Sequence, residues 1–241
     1  IESNNVLTYF QPLKDLKTGE IYKYEALMRV KSWDKIDSPF YYLEAAKKYW
    51  RLAAIAKINI DNVFKILNDN PEKYFSLNLS WEDFIDSNLS NYIIKKLQEY
   101  KNVDPSHVTF EILESEWTNY ENIKSSIIRY KKIWFKIWID DYWAESSNIN
   151  RLNDLLNDWI PDFVKIDGWI IKELWSDDNK KMQSMIADIR NVLEKSNIYW
   201  FKVVAEFIEN PQIELICKTL WIDFGQWYNI WKPNSDLDIL K

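Results

Sequence analysis

The stretch Phe135-Lys136-Ile137-Trp138-Ile139-Asp140-Asp141 decides the fold. An apolar strand there meets two adjacent carboxylates. Successive residues of a strand point to opposite faces, so the doublet predicts a strand that ends at the acids and releases both together. Carboxylate oxygens are the ligands that Mg²⁺ and Mn²⁺ favour. If neighbouring strands end in matching polar groups, this stretch is one wall of a hard-cation site.

The sequence on either side supplies such strands. Residues 108–113 and 162–166 read as neighbours, with 74–79 and 201–205 beyond them. Strands over 6–12 and 21–30, joined by the turn Lys17-Thr18-Gly19-Glu20, open the chain, and a short strand over 222–224 closes it. Helices are predicted over 51–67, 82–100, 120–132, 149–157, 169–174, 179–196 and 211–220. Another begins at Ser38-Pro39, with Ser as cap and Pro at the first helical position. Alternating strands and helices imply a parallel sheet with helices outside. About eight strands suit a TIM-like (β/α)8 barrel of the α/β class. An open doubly wound sheet would carry a glycine-rich turn after its first strand, and none is present.

Chemistry in such a barrel sits where the strands end. The polar residues there are Glu25, Asn78, Glu111 with Glu114, Asp140 with Asp141, Lys165 with Asp167, Glu206 with Glu209, and Gln226. Carboxylates sharing one mouth repel and raise one another's pKa unless cations neutralise them. One or two divalent ions resolve this, and they suit water activation and the clamping of a phosphate diester.

Composition narrows the alternatives. The 241 residues carry 31 basic and 37 acidic side chains, a net charge of −6, which argues against a polymeric nucleic acid as partner. One cysteine, Cys217, rules out an internal disulfide and a cysteine-rich zinc site. Cys217 reads as core, and the lone His107 as the start of a strand. No apolar run approaches the roughly 18 residues of a membrane span, so the domain is expected to be cytoplasmic and without membrane contact of its own. The first residue, Ile1, suggests a single domain over 1–241 cut from a longer signalling protein, whose missing N-terminal region is where any membrane anchor would lie.

The motifs, in order, are Phe10-Gln11-Pro12-Leu13, Glu25-Ala26-Leu27 with Arg29, and Leu77-Asn78-Leu79-Ser80. Then come Phe110-Glu111-Ile112-Leu113-Glu114, Ile139-Asp140-Asp141-Tyr142, Val164-Lys165-Ile166-Asp167-Gly168, Val204-Ala205-Glu206 and Asp223-Phe224-Gly225-Gln226. This ordered set resembles the EAL domains, which hydrolyse the bacterial second messenger cyclic di-GMP. The resemblance implies a phosphodiesterase that opens the cyclic dinucleotide to linear pGpG with two divalent cations, Mg²⁺ or Mn²⁺. It implies Glu25, Asn78, Glu111 and Asp140 as ligands of the first ion, with Asp140 and Asp141 reaching the second. Lys165 resembles the lysine that orients or deprotonates the attacking water, and Glu206 the essential glutamate beside it. Glu114 resembles the acid that steadies the loop after the Asp pair. Gln11 and Arg29, and then Asp167, Glu209 and Gln226, resemble substrate contacts. Homodimerisation through the loop after Asp141 is a further implication.

One departure stands out. The family's loop after the doublet carries glycine where Trp143 stands here, which points to the alternative of an inactive cyclic di-GMP receptor or protein-interaction module. Trp also occupies family glycine positions at Trp50, Trp134, Trp200, Trp221, Trp227 and Trp231, and less firmly at Trp117 and Trp138. The 14 Trp and 3 Gly together match the roughly 17 Gly that average usage would give. UGA is read as Trp in some genetic codes and as Gly in others, so many of these Trp are expected to be native Gly.

Overall fold

In a computed structural model of the chain, residues 5–49, 51–113, 120–142, 146–227 and 232–237 are described. Nine strands form one sheet: β1 (Val6–Asp15), β2 (Ile21–Ser32), β3 (Lys35–Asp37), β4 (Phe75–Asn78), β5 (Val108–Leu113), β6 (Lys136–Tyr142), β7 (Phe163–Ile166), β8 (Lys202–Ala205) and β9 (Phe224–Gly225). Strands β2, β4, β5, β6, β7, β8 and β9 run parallel in that spatial order. β1 closes the ring by pairing with both β2 and β9. The result is an eight-stranded barrel, with β3 added outside the ring as a hairpin on β2.

The closing strand departs from an all-parallel sheet. β1 is antiparallel to both neighbours. A turn as short as Lys17-Thr18-Gly19-Glu20 can join only antiparallel strands, because a parallel pair needs a long crossover. Asp15 holds this turn by accepting the backbone N–H groups of Lys17 and Thr18 at 2.8 and 2.9 Å.

The helices are α1 (Phe40–Lys48), α2 (Leu52–Asp69), α3 (Trp81–Ile85), α4 (Ser87–Glu99), α5 (Tyr120–Lys132), α6 (Ser146–Asn157), α7 (Gly168–Glu173), α8 (Asn179–Tyr199) and α9 (Pro211–Thr219). Two differ from expectation. Pro39 itself is the N-cap of α1, which has no side-chain cap. The single helix predicted over 82–100 breaks at Asp86, whose extended backbone ends α3 and whose carboxylate caps Asn88 N–H at 2.8 Å to start α4. Among the described residues no helix is long and apolar enough to cross a membrane.

Period-two alternation sorts the strand side chains into two layers. Phe110, Ile112, Ile137 and Ile139 point outward into the core beneath the helices, with Val63, Phe64, Leu89 and Ile127. Leu13, Trp138, Phe163, Val204 and Phe224 point inward and fill the lower barrel. Above that plug the inward positions turn polar, and that is where the site lies.

Two carboxylates knit the N-terminal end of the barrel. Asp162 accepts the N–H of Ile137 at 2.9 Å and pairs with Lys131 at 2.9 Å and Lys136 at 3.4 Å. Asp223 does the same two units later, accepting Val203 N–H at 2.9 Å and pairing with Lys202 at 2.7 Å.

Seven described non-glycine residues have left-handed backbones: Trp33, Trp134, Asp141, Trp159, Trp200, Phe207 and Trp221. Each such residue with a Cβ costs about 1–2 kcal/mol. Of the seven family-glycine positions, Trp134, Trp200 and Trp221 have this backbone. Trp227 does not: it lies buried in the core with ordinary φ, and Lys14 sits 4.9 Å above its ring. Trp138 is likewise buried, on regular strand. Trp50, Trp117, Trp143 and Trp231 lie outside the described residues. Trp33 and Trp159 went unrecognised in the sequence.

Asp162→Ala is expected to destabilise the domain by about 1.5–3 kcal/mol, the usual worth of hydrogen bonds to a charged group. Denaturant unfolding checks this, and an unchanged midpoint would count against the knitting role.

Candidate active site

The mouth of the barrel is built on Lys165, from β7. Its ammonium is buried and lies 2.8 Å from Asp140 Oδ1 (β6), 3.5 Å from Glu111 Oε2 (β5) and 3.6 Å from Glu25 Oε2 (β2). Four strands thus send one charged side chain each to a common point. Asn78, at the end of β4, donates to Glu25 Oε1 at 3.2 Å, and Gln226, just beyond β9, donates to Glu25 Oε2 at 2.8 Å. Gln11 on β1 is the register partner of Glu25 and is also buried.

Local sequence sets each position. Two residues after Asn78, Ser80 caps α3 through a reciprocal box, its Oγ accepting Asp83 N–H at 3.2 Å while its own N–H donates to Asp83 Oδ2 at 3.0 Å. That turns the chain away directly after Asn78. At the doublet the strand does not end. β6 runs on to Tyr142, and a register break against β7 spans Ile139 to Tyr142. Asp141 adopts a left-handed backbone, φ 53°, and donates its N–H to Asp140 Oδ1 at 3.0 Å. A bulge rather than a strand terminus therefore keeps both acids near the mouth, because an extra residue re-aims the side chain beside it.

The charges perturb one another strongly. Burial alone would lower the pKa of Lys165, but Asp140, Glu25, Glu111 and Glu206 outweigh it and hold the ammonium well above the usual lysine range. Burial raises Glu111 well above the usual carboxylate range, Glu25 adds to this, and Lys165 opposes it. Burial likewise raises Asp140 despite Lys165. For Glu25 burial works upward too, but Lys165 and the hydrogen bonds from Gln226 and Asn78 bring the net value down. Burial, aided by Asp140, pushes Asp141 up to about 6. Burial also pushes Glu206, just after β8, up to about 7.

Other expected residues stand apart from this cluster. Arg29 donates to its neighbour's carbonyl, Met28 O, at 2.8 Å and lies 5.8 Å from the Tyr9 ring. Asp167 caps α7 through Trp169 N–H at 2.9 Å. Glu209 pairs with Lys172 at 3.3 Å on the rim. Glu114 lies outside the described residues. Gln226, by contrast, was expected among substrate contacts, and the structure bonds it directly to Glu25.

The floor of the site was not foreseen. Lys165 sits 5.3 Å above the Trp138 ring, and Lys23, fully buried, is 5.3 Å from the same ring and 3.9 Å from Phe163. Lys23 donates to Thr109 Oγ1. Burial lowers its pKa to about 7, against the pull of Glu111 and Asp162. The sequence did carry a signal, since Lys23 precedes Glu25 by two and must share its inward face. Phe207 was also missed. It is left-handed, directly follows Glu206, and presses on Gly168, where a Cβ would fall 2.3 Å from Phe207 Cδ2. Only glycine lets α7 start this close to the strand end that carries Glu206.

Among the described residues no three carboxylate, imidazole or thiol groups already stand together as a metal cluster, since Lys165 lies between the acids. The donor set nonetheless fits a hard divalent cation. It is all oxygen, from Glu25, Asn78, Glu111 and Asp140, and neither oxygen of buried Glu111 has a hydrogen-bond partner.

Against this geometry, the profile of the EAL domain matches residues 1–233. The chain belongs to the EAL domain family. The domain is 28% identical over 240 residues to the cyclic di-GMP phosphodiesterase PdeB of Shewanella oneidensis, covering 97% of this chain and 27% of that protein. It is 26% identical to the cyclic di-GMP phosphodiesterase PdeF of Escherichia coli, covering all of this chain and 32% of that one. It thus spans about a third or less of these relatives. Among solved structures, the FimX EAL domain of Pseudomonas aeruginosa bound to c-di-GMP superposes with a TM-score of 0.85 at 20% identity, over 98% of this chain and 94% of that one. The PaMucR phosphodiesterase in its c-di-GMP complex gives 0.81 at 20% identity, over 98% and 99%. At these identities the structures speak for the shared TIM-like barrel.

Lys23→Met is expected to stabilise the EAL domain at neutral pH. A lysine pKa lowered to about 7 in the folded state, from 10.5, means the unfolded chain binds the extra proton between those values. Stability contributed at this position therefore rises as pH climbs from about 7 to 10.5. Unfolding midpoints across that window should climb less for the variant than for the parent, and parallel curves would contradict a buried, shifted Lys23.

Proposed function

We propose that this EAL domain is a metal-dependent phosphodiesterase that hydrolyses cyclic di-GMP to linear pGpG. The observation that carries the reading is the convergence of Glu25, Glu111 and Asp140, with the Asn78 amide, in the buried mouth of the barrel. Three buried carboxylates held by one ammonium leave an excess of negative charge that a fold keeps only at some gain, since unpaired buried charge is strongly unfavourable. Family membership and curated relatives named cyclic di-GMP phosphodiesterases support the same reading.

In this mechanism Glu25, Asn78, Glu111 and Asp140 would hold one Mg²⁺ or Mn²⁺, and Asp140 and Asp141 would hold a second. Bound there, such ions supply a hydroxide at neutral pH and neutralise charge on the phosphate. Lys165, held as an ammonium, orients the attacking water, and Glu206 stands beside it. Gln226 keeps Glu25 in place, while Gln11, Arg29, Asp167 and Glu209 line the approach for the substrate. Glu114 steadies the loop after the Asp pair. The domain works in the cytoplasm as part of a longer, dimeric signalling protein.

A second reading, binding of cyclic di-GMP without turnover, rests on Trp143 directly after the Asp140-Asp141-Tyr142 run. The two part in one assay. With Mn²⁺ or Mg²⁺ the chain is expected to convert cyclic di-GMP to pGpG, read by chromatography. Glu25→Ala or Asp140→Asn should reduce turnover by more than the roughly 10–100-fold that loss of a supporting residue brings at metal sites. Tight binding with no pGpG selects the receptor, and full activity in either variant refutes the assigned site.

A further inference from the structure

Among the described residues, five of the ten Trp have left-handed backbones, with φ between 54° and 74°. Among the described residues the only other left-handed aromatic is Phe207, and no described Tyr is left-handed. The indoles of these five Trp stand largely in solvent: Trp33, Trp134, Trp159, Trp200 and Trp221 are between 57 and 94% exposed, with Trp159 resting on the Tyr199 ring at 5.4 Å.

Each sits where a turn demands a residue without a Cβ. Trp134 follows α5, and its N–H reaches Lys131 O at 3.0 Å while Phe135 N–H reaches back to Tyr130 O at 3.2 Å. Trp159 follows α6 with the same pair of bonds, to Leu156 O at 3.0 Å and from Ile160 N–H to Leu155 O at 3.1 Å. Trp221 follows α9 likewise, to Lys218 O at 3.1 Å and from Ile222 N–H to Cys217 O at 3.1 Å. These are three Schellman motifs, with Trp at the position that glycine usually fills. Trp200 ends α8 in the simpler left-handed cap, through one bond to Ser196 O at 2.8 Å. Trp33 is the first residue of the two-residue β2–β3 hairpin, and it alone of that pair has positive φ. That is the pattern of a type II′ turn, which calls for glycine first.

We propose that residues 33, 134, 159, 200 and 221 are glycine in the protein as its cells make it. Tryptophan stands there because the codon UGA, glycine in one variant genetic code and tryptophan in another, has been translated by the wrong one. The inference stands on backbone geometry and is independent of the proposed catalysis. A docking surface of real indoles is the competing explanation. Four of the five do lie at one end of the barrel, in the turns before β6, β7, β8 and β9, but a docking surface would have no use for the left-handed backbone that all five share. Gly19, Gly168 and Gly225 then come from ordinary glycine codons.

Two measurements test it. The gene should carry UGA at all five positions, and tandem mass spectrometry of the native protein should read glycine there. UGG codons, or tryptophan-bearing peptides from native protein, overturn the proposal and return the indoles to an interaction surface. Recombinant chain with Trp33→Gly, Trp134→Gly, Trp159→Gly, Trp200→Gly and Trp221→Gly should also fold more stably than the chain as written. Each replacement is expected to move the equilibrium toward the folded state by about 5–30-fold, and a combined variant no more stable than its parent also counts against it.

Discussion

The structure depends on one buried ammonium. Lys165 holds Glu25, Glu111 and Asp140 within 3.6 Å of a single point inside a closed barrel. None of these acids could remain there alone, because an ionised group in such a place must be paired or lose its charge. The opposed shifts, Lys165 upward and Glu25 downward, are two expressions of the same attraction. Glu111 and Asp140 are raised instead, chiefly by burial, with Glu25 adding to it and Lys165 opposing it.

The rest of the barrel makes that arrangement possible. Below it, Trp138 and Phe163 fill the lumen, so the carboxylates face a low-polarity floor rather than water. Lys23 beneath them offers a second amine whose charge burial weakens. At the N-terminal end, Asp162 and Asp223 tie each incoming strand to the one before, fixing where β6 and β8 begin and hence where Asp140 and Glu206 arrive. Closure by the antiparallel β1 then brings Gln11 opposite Glu25 and completes the ring.

Much of this was legible in the sequence because it depends on period and order. Strand–helix alternation implied the barrel, and polar residues along its strands pointed to Glu25, Asn78, Glu111, Asp140, Lys165 and Gln226, which the structure brings together, although Glu25 lies within β2 rather than at its end. What was not legible depends on local backbone. The Asp140-Asp141 pair suggested a strand terminus, but the strand continues and a left-handed bulge does the same work. The direction of β1 was readable from its short turn and was passed over in favour of uniform alternation. The separation of Arg29 and Glu209 from the cluster rests on rotamers and rim ion pairs, which no pattern of spacing encodes.

The tryptophans show how the two kinds of information differ. The family resemblance implies only that Trp stands where glycine is expected, and it does not separate Trp227, which is packed and conformationally ordinary, from Trp200, which is neither. Backbone geometry separates them without reference to any relative, and it adds Trp33 and Trp159, where no motif drew attention. Four of the five marked positions lie just before β6, β7, β8 and β9, at the turns that launch the strands carrying Asp140, Lys165, Glu206 and Gln226. A turn that must be left-handed sets the height at which its strand enters the barrel. The identity of those residues therefore bears on how firmly the site is held, and not only on the reading of a codon.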